Sequence, residues 1–319
     1  MRLIANGIPI EVDDQGPPGG TPVLLLMGLG MQLVAWPEPF VAMLVRQGLR
    51  VIRIDNRDAG LSADFAAHGL PNLAWLGLRH SLRLPVRSPY TLQDMADDAV
   101  GVLDALGLPA AHLVGASMGG MIAQVAALRV PQRVRGLTLV MSTPGARGLP
   151  GPSGRVRAAM LARPPAVRRL PADAAGAHRP DPRDLPALVA HLAGLLTLLG
   201  SAETARDAEG LRQRIGAAAG RAWRPEGTAR QLAAIMAGGD RTPALSGLRL
   251  PVTVVHGLAD PLLPPAHGRA LASAIPGARL QEIEGMGHDL PPSVWQPLAD
   301  RVAEQALAAG PASPTGLKR

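Results

Sequence analysis

One serine lies between two glycines, in Gly115-x-Ser117-x-Gly119, directly after an apolar run at residues 111–114. The run has the length and composition of a buried strand, and residues 121–128 after it are typical of a helix. A strand, a serine and a helix in this order are what a G-x-S-x-G pattern needs to project a nucleophile. Glycine on each side of the serine would allow the tight turn, because larger side chains at these positions would collide. The alternative is a glycine-rich turn with an incidental serine.

A serine hydroxyl is a weak nucleophile until a base accepts its proton, and a carboxylate must hold that base in the correct tautomer. Asp260 follows the predicted strand at residues 250–256, and His288 follows the next one at residues 278–283. Because the carboxyl ends of parallel strands meet at one sheet edge, both side chains should lie near Ser117. The order Ser117, Asp260, His288 therefore predicts a catalytic triad.

Other acidic residues and histidines are less well placed for this role. Asp55 and Asp58 follow an earlier strand and are predicted to stabilise their own loop, while Asp289 is predicted to serve the turn beside His288. The strand that ends near Met141 is followed by no carboxylate. The remaining histidines fall on strands, on a helix, or in loops and a helical insert: His68, His80, His112, His178, His191, His256 and His267.

Acyl transfer also needs hydrogen-bond donors for the developing oxyanion. We expect one from the backbone N–H of Met118, directly after the nucleophile, and one from that of Leu29, in the loop after the strand at residues 22–27. No cluster of His, Asp or Glu has metal-ligand spacing, so no metal site is predicted. The absence of cysteine excludes thiolate ligands, a cysteine nucleophile and disulfides.

Alternating strands and helices position these residues. Two short strands flank Asn6-Gly7, a hairpin signal, and the later strands alternate with helices, which favours a parallel, doubly wound sheet. Residues 70–89 are predicted to be irregular. The alternation of predicted strands and helices stops at Pro144 and resumes with a strand at residue 250. We therefore predict a core at residues 1–144 and 244–309, a helical cap at residues 145–243, and a disordered tail at residues 310–319.

The amino-acid composition and net charge of the chain exclude some classes of binding partner. In 319 residues, 47% of them hydrophobic, there is no run of about 18 uncharged apolar residues and no apolar signal region, so we expect a cytoplasmic protein without a membrane partner. The net charge of +7 comes almost entirely from scattered arginines, and only 2% of residues are aromatic, which argues against nucleic-acid binding. The predicted partner is a small ester or lactone, and homo-oligomerisation stays open.

Four stretches carry a family resemblance: Met27-Gly28 with Trp36-Pro37, Arg53-x-Asp55-x-Arg57-Asp58-x-Gly60-x-Ser62, Gly115-x-Ser117-Met118-Gly119, and Ile283-x-Gly285-Met286-Gly287-His288-x-Leu290-Pro291. On these the chain resembles the α/β-hydrolase superfamily, and more narrowly the bacterial esterases of the aclacinomycin methylesterase type. The resemblance implies a mostly parallel eight-stranded sheet with helices on both faces, a helical cap after strand six, and ester hydrolysis without a cofactor. Met27 departs from it, because many relatives have histidine there.

Alternative activities follow from the same resemblance. The Ser-Met-Gly-Gly stretch is also similar to that of lactone and carbon–carbon bond hydrolases, although the latter often place an aromatic residue where this chain has Asp289. A serine nucleophile argues against epoxide hydrolysis and dehalogenation. A non-catalytic ligand receptor on the same fold is the alternative from another class.

The expected site is apolar. Met27, Leu29, Met118 and Met121 are predicted to lie near the reacting centre, where methionine accepts apolar groups of varied shape. Arginines such as Arg79, Arg83 and Arg168 are candidates to attract a carboxylate at the rim. The sequence therefore predicts a hydrolase of neutral carboxylic esters.

Overall fold

The structure, a computed structural model, describes residues 1–162, 164–173 and 176–308, so the predicted tail lies outside the described residues. Its centre is an eight-stranded sheet with the order β1-β2-β4-β3-β5-β6-β7-β8. The strands are β1 (Arg2–Ala5), β2 (Ile8–Gln15), β3 (Thr21–Leu26), β4 (Leu49–Ile54), β5 (Ala111–Ala116), β6 (Val134–Val140), β7 (Val252–Gly257) and β8 (Arg279–Ile283). Strand β2 pairs antiparallel with β1 and β4, and all other pairs are parallel.

Helices cover both faces of this sheet. They are α1 (Glu38–Arg46), α2 (Leu73–Ser81), α3 (Leu92–Ala105), α4 (Met118–Arg129), α5 (Gly154–Leu161), α6 (Leu185–Leu199), α7 (Ala202–Arg206), α8 (Ala208–Arg221), α9 (Pro225–Ala237), α10 (Thr242–Leu245), α11 (Ala266–Ala274) and α12 (Pro292–Ala308). Helices α3, α4 and α11 pack on one face, and α1 and α12 on the other.

The central strand β3 is apolar from Pro22 to Leu26 because both of its faces are covered. In β3, Leu24 and Leu26 face the core under α3 and α4, whereas Val23 and Leu25 face the core under α1 and α12. The predicted mostly parallel sheet of eight strands, with helices on both faces, is confirmed.

The prediction that residues 70–89 are irregular is wrong, because they contain α2. The Asn72 side chain accepts a hydrogen bond from the Trp75 N–H at 2.9 Å and so caps the first turn. Only Leu76 in this helix is buried. Apolar residues also face outward, so the sequence lacks the alternation of apolar and polar faces that marks most surface helices.

Helices α5 to α10 lie between β6 and β7, and we call residues 145–243 the insert. The described part of the insert has no strand beyond one isolated bridge, between Arg169 and Pro180. Within the described residues, no helix has both the length and the apolar character that crossing a membrane requires.

Candidate active site

The backbone at Ser117 is held in an unusual conformation. Ser117 immediately precedes α4 and has φ 53° and ψ −115°, a region that non-glycine residues rarely adopt. Its N–H donates to the Val140 carbonyl at 2.9 Å, and the Ser142 hydroxyl donates to its carbonyl at 2.8 Å. The ends of β5 and β6 therefore fix this strained turn, as expected of a residue whose conformation is required by function.

The glycines around Ser117 are required, because a side chain at any of these positions would collide with neighbouring atoms. A Cβ at Gly115 would collide with the Gly119 carbonyl, and one at Gly119 would collide with the Leu26 carbonyl at the end of β3. A Cβ at Gly120 would come within 2.6 Å of the Ser142 side chain. Helix α4 can therefore pass this close to β3 and β5 only because these positions lack side chains.

The structure brings Ser117, His288 and Asp260 together. His288 Nε2 lies 3.0 Å from Ser117 Oγ, and His288 Nδ1 lies 2.7 Å from Asp260 Oδ2. Asp260 is buried, and its Oδ1 accepts from the N–H groups of Leu262 and Leu263 at 2.9 and 2.8 Å. With Nδ1–H donating to the carboxylate, Nε2 is free to accept the serine proton.

The loop that carries His288 is attached to the insert. The His288 N–H donates to the Leu199 carbonyl at the end of α6, at 2.7 Å. Asp289 Oδ2 accepts from the N–H and hydroxyl of Ser201, both at 2.8 Å, and from the Thr204 hydroxyl at 2.5 Å. Asp289 therefore bonds to the start of α7, in the insert, rather than only to its own turn as predicted.

Two further histidines, both buried, lie near the triad. His256 Nε2 lies 2.8 Å from the Leu263 carbonyl and 3.7 Å from Asp260 Oδ2. His267 lies on α11, as predicted, with Nδ1 2.8 Å from the Thr143 hydroxyl. Burial lowers the pKa of both imidazoles. Burial also lowers the pKa of His112, at the start of β5, to about 3.

Asp55 and Asp58 stabilise their loop, as expected, and also contact the insert. Asp55 accepts from the Leu33 and Leu61 N–H groups and from Arg221 Nη1, at 2.7, 2.9 and 2.6 Å. Burial raises the pKa of Asp55, while Arg221 opposes that change. Asp58 forms a bidentate ion pair with the buried Arg230 of α9.

The loop after β3 runs directly beside the serine. A Cβ at Gly28 would lie 3.3 Å from Ser117 Cβ. Two contacts fix this loop on either side of Leu29: Asn56 Nδ2 donates to the Met27 carbonyl at 2.9 Å, and the Gly30 N–H donates to Gln231 Oε1 at 2.8 Å. Sequence reasoning missed Gln231, because nothing in the local pattern of α9 links it to a loop about 200 residues earlier.

The Met118 N–H is positioned by the helix itself. Met118 is the first residue of α4, so its N–H has no partner within the helix and carries part of the positive end of the helix dipole. In the part of the chain that the structure describes, no group of three His, Asp or Glu side chains could hold a metal ion.

Comparisons with known proteins agree with this architecture. A family model described as the alpha/beta hydrolase fold matches residues 21–292. The chain is 32% identical to the rhodomycin D methylesterase DnrP of Streptomyces peucetius, over 97% of this chain and 98% of that protein.

Solved structures show the same fold. The esterase RhEst1 from Rhodococcus sp. ECU1013 matches with a TM-score of 0.71 at 21% identity, over 97% of this chain and 99% of that one. The enol-lactonase of Burkholderia xenovorans LB400 matches with a TM-score of 0.67 at 22% identity, over the same shares of the two chains. The fold, the extent of the family match and the methylesterase relative together place this chain in the α/β hydrolase family.

Proposed function

We propose that this chain is a serine hydrolase that cleaves neutral carboxylic esters through an acyl-enzyme. The observation that carries the proposal is the continuous hydrogen-bonded path from Ser117 Oγ through His288 to the buried Asp260 carboxylate. A serine placed on a strained turn, with an imidazole in bonding distance, is the arrangement that nucleophilic acyl transfer requires. A receptor on the same fold would need neither the strained turn nor the oriented base.

The geometry supports a two-step reaction. His288 Nε2 accepts the proton as Ser117 Oγ attacks the ester carbonyl carbon, and the N–H groups of Met118 and Leu29 stabilise the oxyanion. His288 then gives the proton to the departing alkoxide, which leaves as an alcohol. Water, activated by the same imidazole, hydrolyses the acyl-enzyme and restores the serine. Asp260 stabilises the imidazolium that forms in each step.

The insert supports the division into a core and a cap. It contacts the His288 loop through Leu199 and the Leu29 loop through Gln231, so it reaches both sides of Ser117. We infer that residues 145–243 cover the site and supply most of the substrate pocket, while residues 1–144 and 244–309 form the catalytic core.

The methylesterase relatives support an ester as the substrate. The side chains of Met27, Met118 and Met121 lie in the buried core, so the selectivity we propose depends less on them than the sequence suggests. Arg168 forms a bidentate ion pair with Asp184, which offsets its attraction for an anionic substrate. A neutral acyl group therefore fits the available contacts best.

Substrate class is tested by steady-state kinetics on four compounds: a neutral aryl ester, a lactone, a negatively charged ester and an amino-acid anilide. We expect the neutral ester to have the highest kcat/KM and the anilide the lowest, because an amine is a poorer leaving group than an alkoxide. The Ser117→Ala protein is the background control. A highest kcat/KM for the anilide would contradict the proposal.

The role of Gln231 provides a separate test of the oxyanion loop. Gln231→Met removes the acceptor for the Gly30 N–H and the donor to the Arg57 carbonyl. We expect kcat to fall by roughly 10- to 100-fold, because small displacements of a stabilising group are costly in the transition state. KM should change less, since the Gln231 side chain is fully buried and both of its polar atoms bond to backbone groups.

Gln213→Met on α8 is the matched control, because Gln213 is exposed and bonds only to Glu209 among the described residues. It should behave as wild type. An unchanged kcat in Gln231→Met, with the protein folded, would show that this contact does not position the loop.

A further inference from the structure

Five large apolar side chains are exposed along one short segment between β4 and α3. The exposed fractions are 67% for Leu70, 53% for Trp75, 49% for Leu78, 61% for Leu82 and 45% for Leu84. We call these residues, together with the arginines between and after them up to Arg87, the 70–87 surface. Large apolar side chains that are exposed in a group on a protein surface are a feature of interaction sites.

Helix α2 is apolar on its outer as well as its inner side. Leu76 is buried, whereas Trp75 and Leu78 on the helix and Leu82 directly after it are exposed, at a spacing of three and four residues that places helical residues on one side. The outward side of a surface helix normally carries charged and polar residues. The outward side of α2 therefore exposes apolar side chains that would be expected to lie against another apolar surface.

The charges in this segment have one sign. Residues 65–90 contain no Asp or Glu, but they contain Arg79, Arg83 and Arg87. Among the described residues, no carboxylate lies within ion-pair distance of any of these three arginines, whereas Arg57 and Arg230 nearby are each paired. The Arg79 guanidinium lies 5.8 Å from the centre of the Trp75 ring, so cation and aromatic ring are presented together.

The surface adjoins the candidate active site through α9. Helix α2 packs against α9, and His80 Nδ1 lies 3.3 Å from the Met236 carbonyl. Helix α9 also carries Gln231, which holds the loop beside Ser117. Whatever binds the 70–87 surface is therefore close to the insert that borders the site.

We propose that the 70–87 surface docks on an anionic lipid surface. Leucine and tryptophan side chains would enter the boundary between headgroups and acyl chains, and the unpaired arginines would face lipid phosphates. A second copy fits less well, because a symmetric contact would bring the arginines of two chains together. The sequence expectation of no membrane partner considered only spanning segments, and peripheral docking needs none.

Co-sedimentation with vesicles tests the proposal. We expect the full-length protein to bind vesicles that contain phosphatidylglycerol at least about tenfold more strongly than vesicles of phosphatidylcholine alone, with binding weakened by added salt. Equal binding to both vesicle types, or none to either, would overturn the proposal.

Two variants locate the surface. Trp75→Ala with Leu78→Gln, and separately Arg83→Glu with Arg87→Glu, should each reduce vesicle binding by about tenfold or more. The matched controls are Leu307→Gln, at a leucine that is 50% exposed on α12, and Arg46→Glu with Arg206→Glu, at exposed arginines elsewhere. The controls should bind as wild type does.

An unchanged melting temperature and far-ultraviolet circular dichroism spectrum show that each variant is folded, so a loss of vesicle binding can be assigned to the surface. Vesicle binding that persists in both surface variants would overturn the proposal. A dimer in solution that Trp75→Ala dissociates would also overturn it, since the surface would then be covered by a second copy.

Discussion

Replacing Ser117 by alanine is expected to abolish turnover and leave the fold intact. The substitution removes only Oγ, whose partner in the structure is His288 Nε2 at 3.0 Å. By analogy with other serine hydrolases, kcat should fall on the order of 10⁴- to 10⁶-fold. Thermal unfolding should change little, because the backbone hydrogen bonds of the turn to Val140 and Ser142 remain. Steady-state rates and the melting temperature of the same preparation measure both effects.

Covalent labelling shows whether the loss is chemical. A fluorophosphonate probe should modify wild-type protein at Ser117, as read by peptide mass spectrometry, and should leave Ser117→Ala unmodified. Ser246→Ala is a matched control, since the Ser246 hydroxyl is exposed and bonds the Pro243 carbonyl. Turnover within about tenfold of wild type in a pure Ser117→Ala preparation would refute the nucleophile.

The parts of the site that the sequence predicts are those encoded by short stretches. The turn at Ser117 combines a continuous apolar strand with glycines at Gly115 and Gly119, where the structure has no room for a side chain. Asp260 and His288 each follow an apolar run, and parallel strands end at one edge, so their proximity follows from topology. Local composition, together with the rule that parallel strands end at one sheet edge, was therefore sufficient to predict that Ser117, Asp260 and His288 lie close together.

The contacts that sequence reasoning missed join distant segments. Gln231 bonds Gly30 from a helix in the insert, and Asp58 is paired with Arg230 of the same helix. Nothing in the composition of α9 distinguishes a buried Gln or Arg from an exposed one, because burial is decided by how the insert packs on the core. Asp289 illustrates the same difficulty, since its position beside His288 suggests a turn residue and its partners lie in α7.

Replacing Asp260 by asparagine is expected to impair catalysis severely, and the structure shows why. Oδ1 of Asp260 accepts from two backbone N–H groups, those of Leu262 and Leu263. In Asp260→Asn the amide oxygen must take that position, so the amide NH₂ faces His288 Nδ1. The imidazole would then carry its proton on Nε2 and present a donor, rather than an acceptor, to Ser117. In other Ser-His-Asp enzymes this change costs on the order of 10⁴-fold in kcat.

Asp289→Asn is the matched control, because it makes the same chemical change on the neighbouring residue of the His288 loop. Asp289 contacts Ser201 and Thr204 at the start of α7, and an amide oxygen can still accept from them. We expect a lower melting temperature, since a charged acceptor is lost at a helix N-terminus, with kcat within about tenfold of wild type. Measuring both quantities separates a structural contact from the orientation of the base. A severe loss of kcat in Asp289→Asn together with normal turnover in Asp260→Asn would transfer the role of the acid to Asp289.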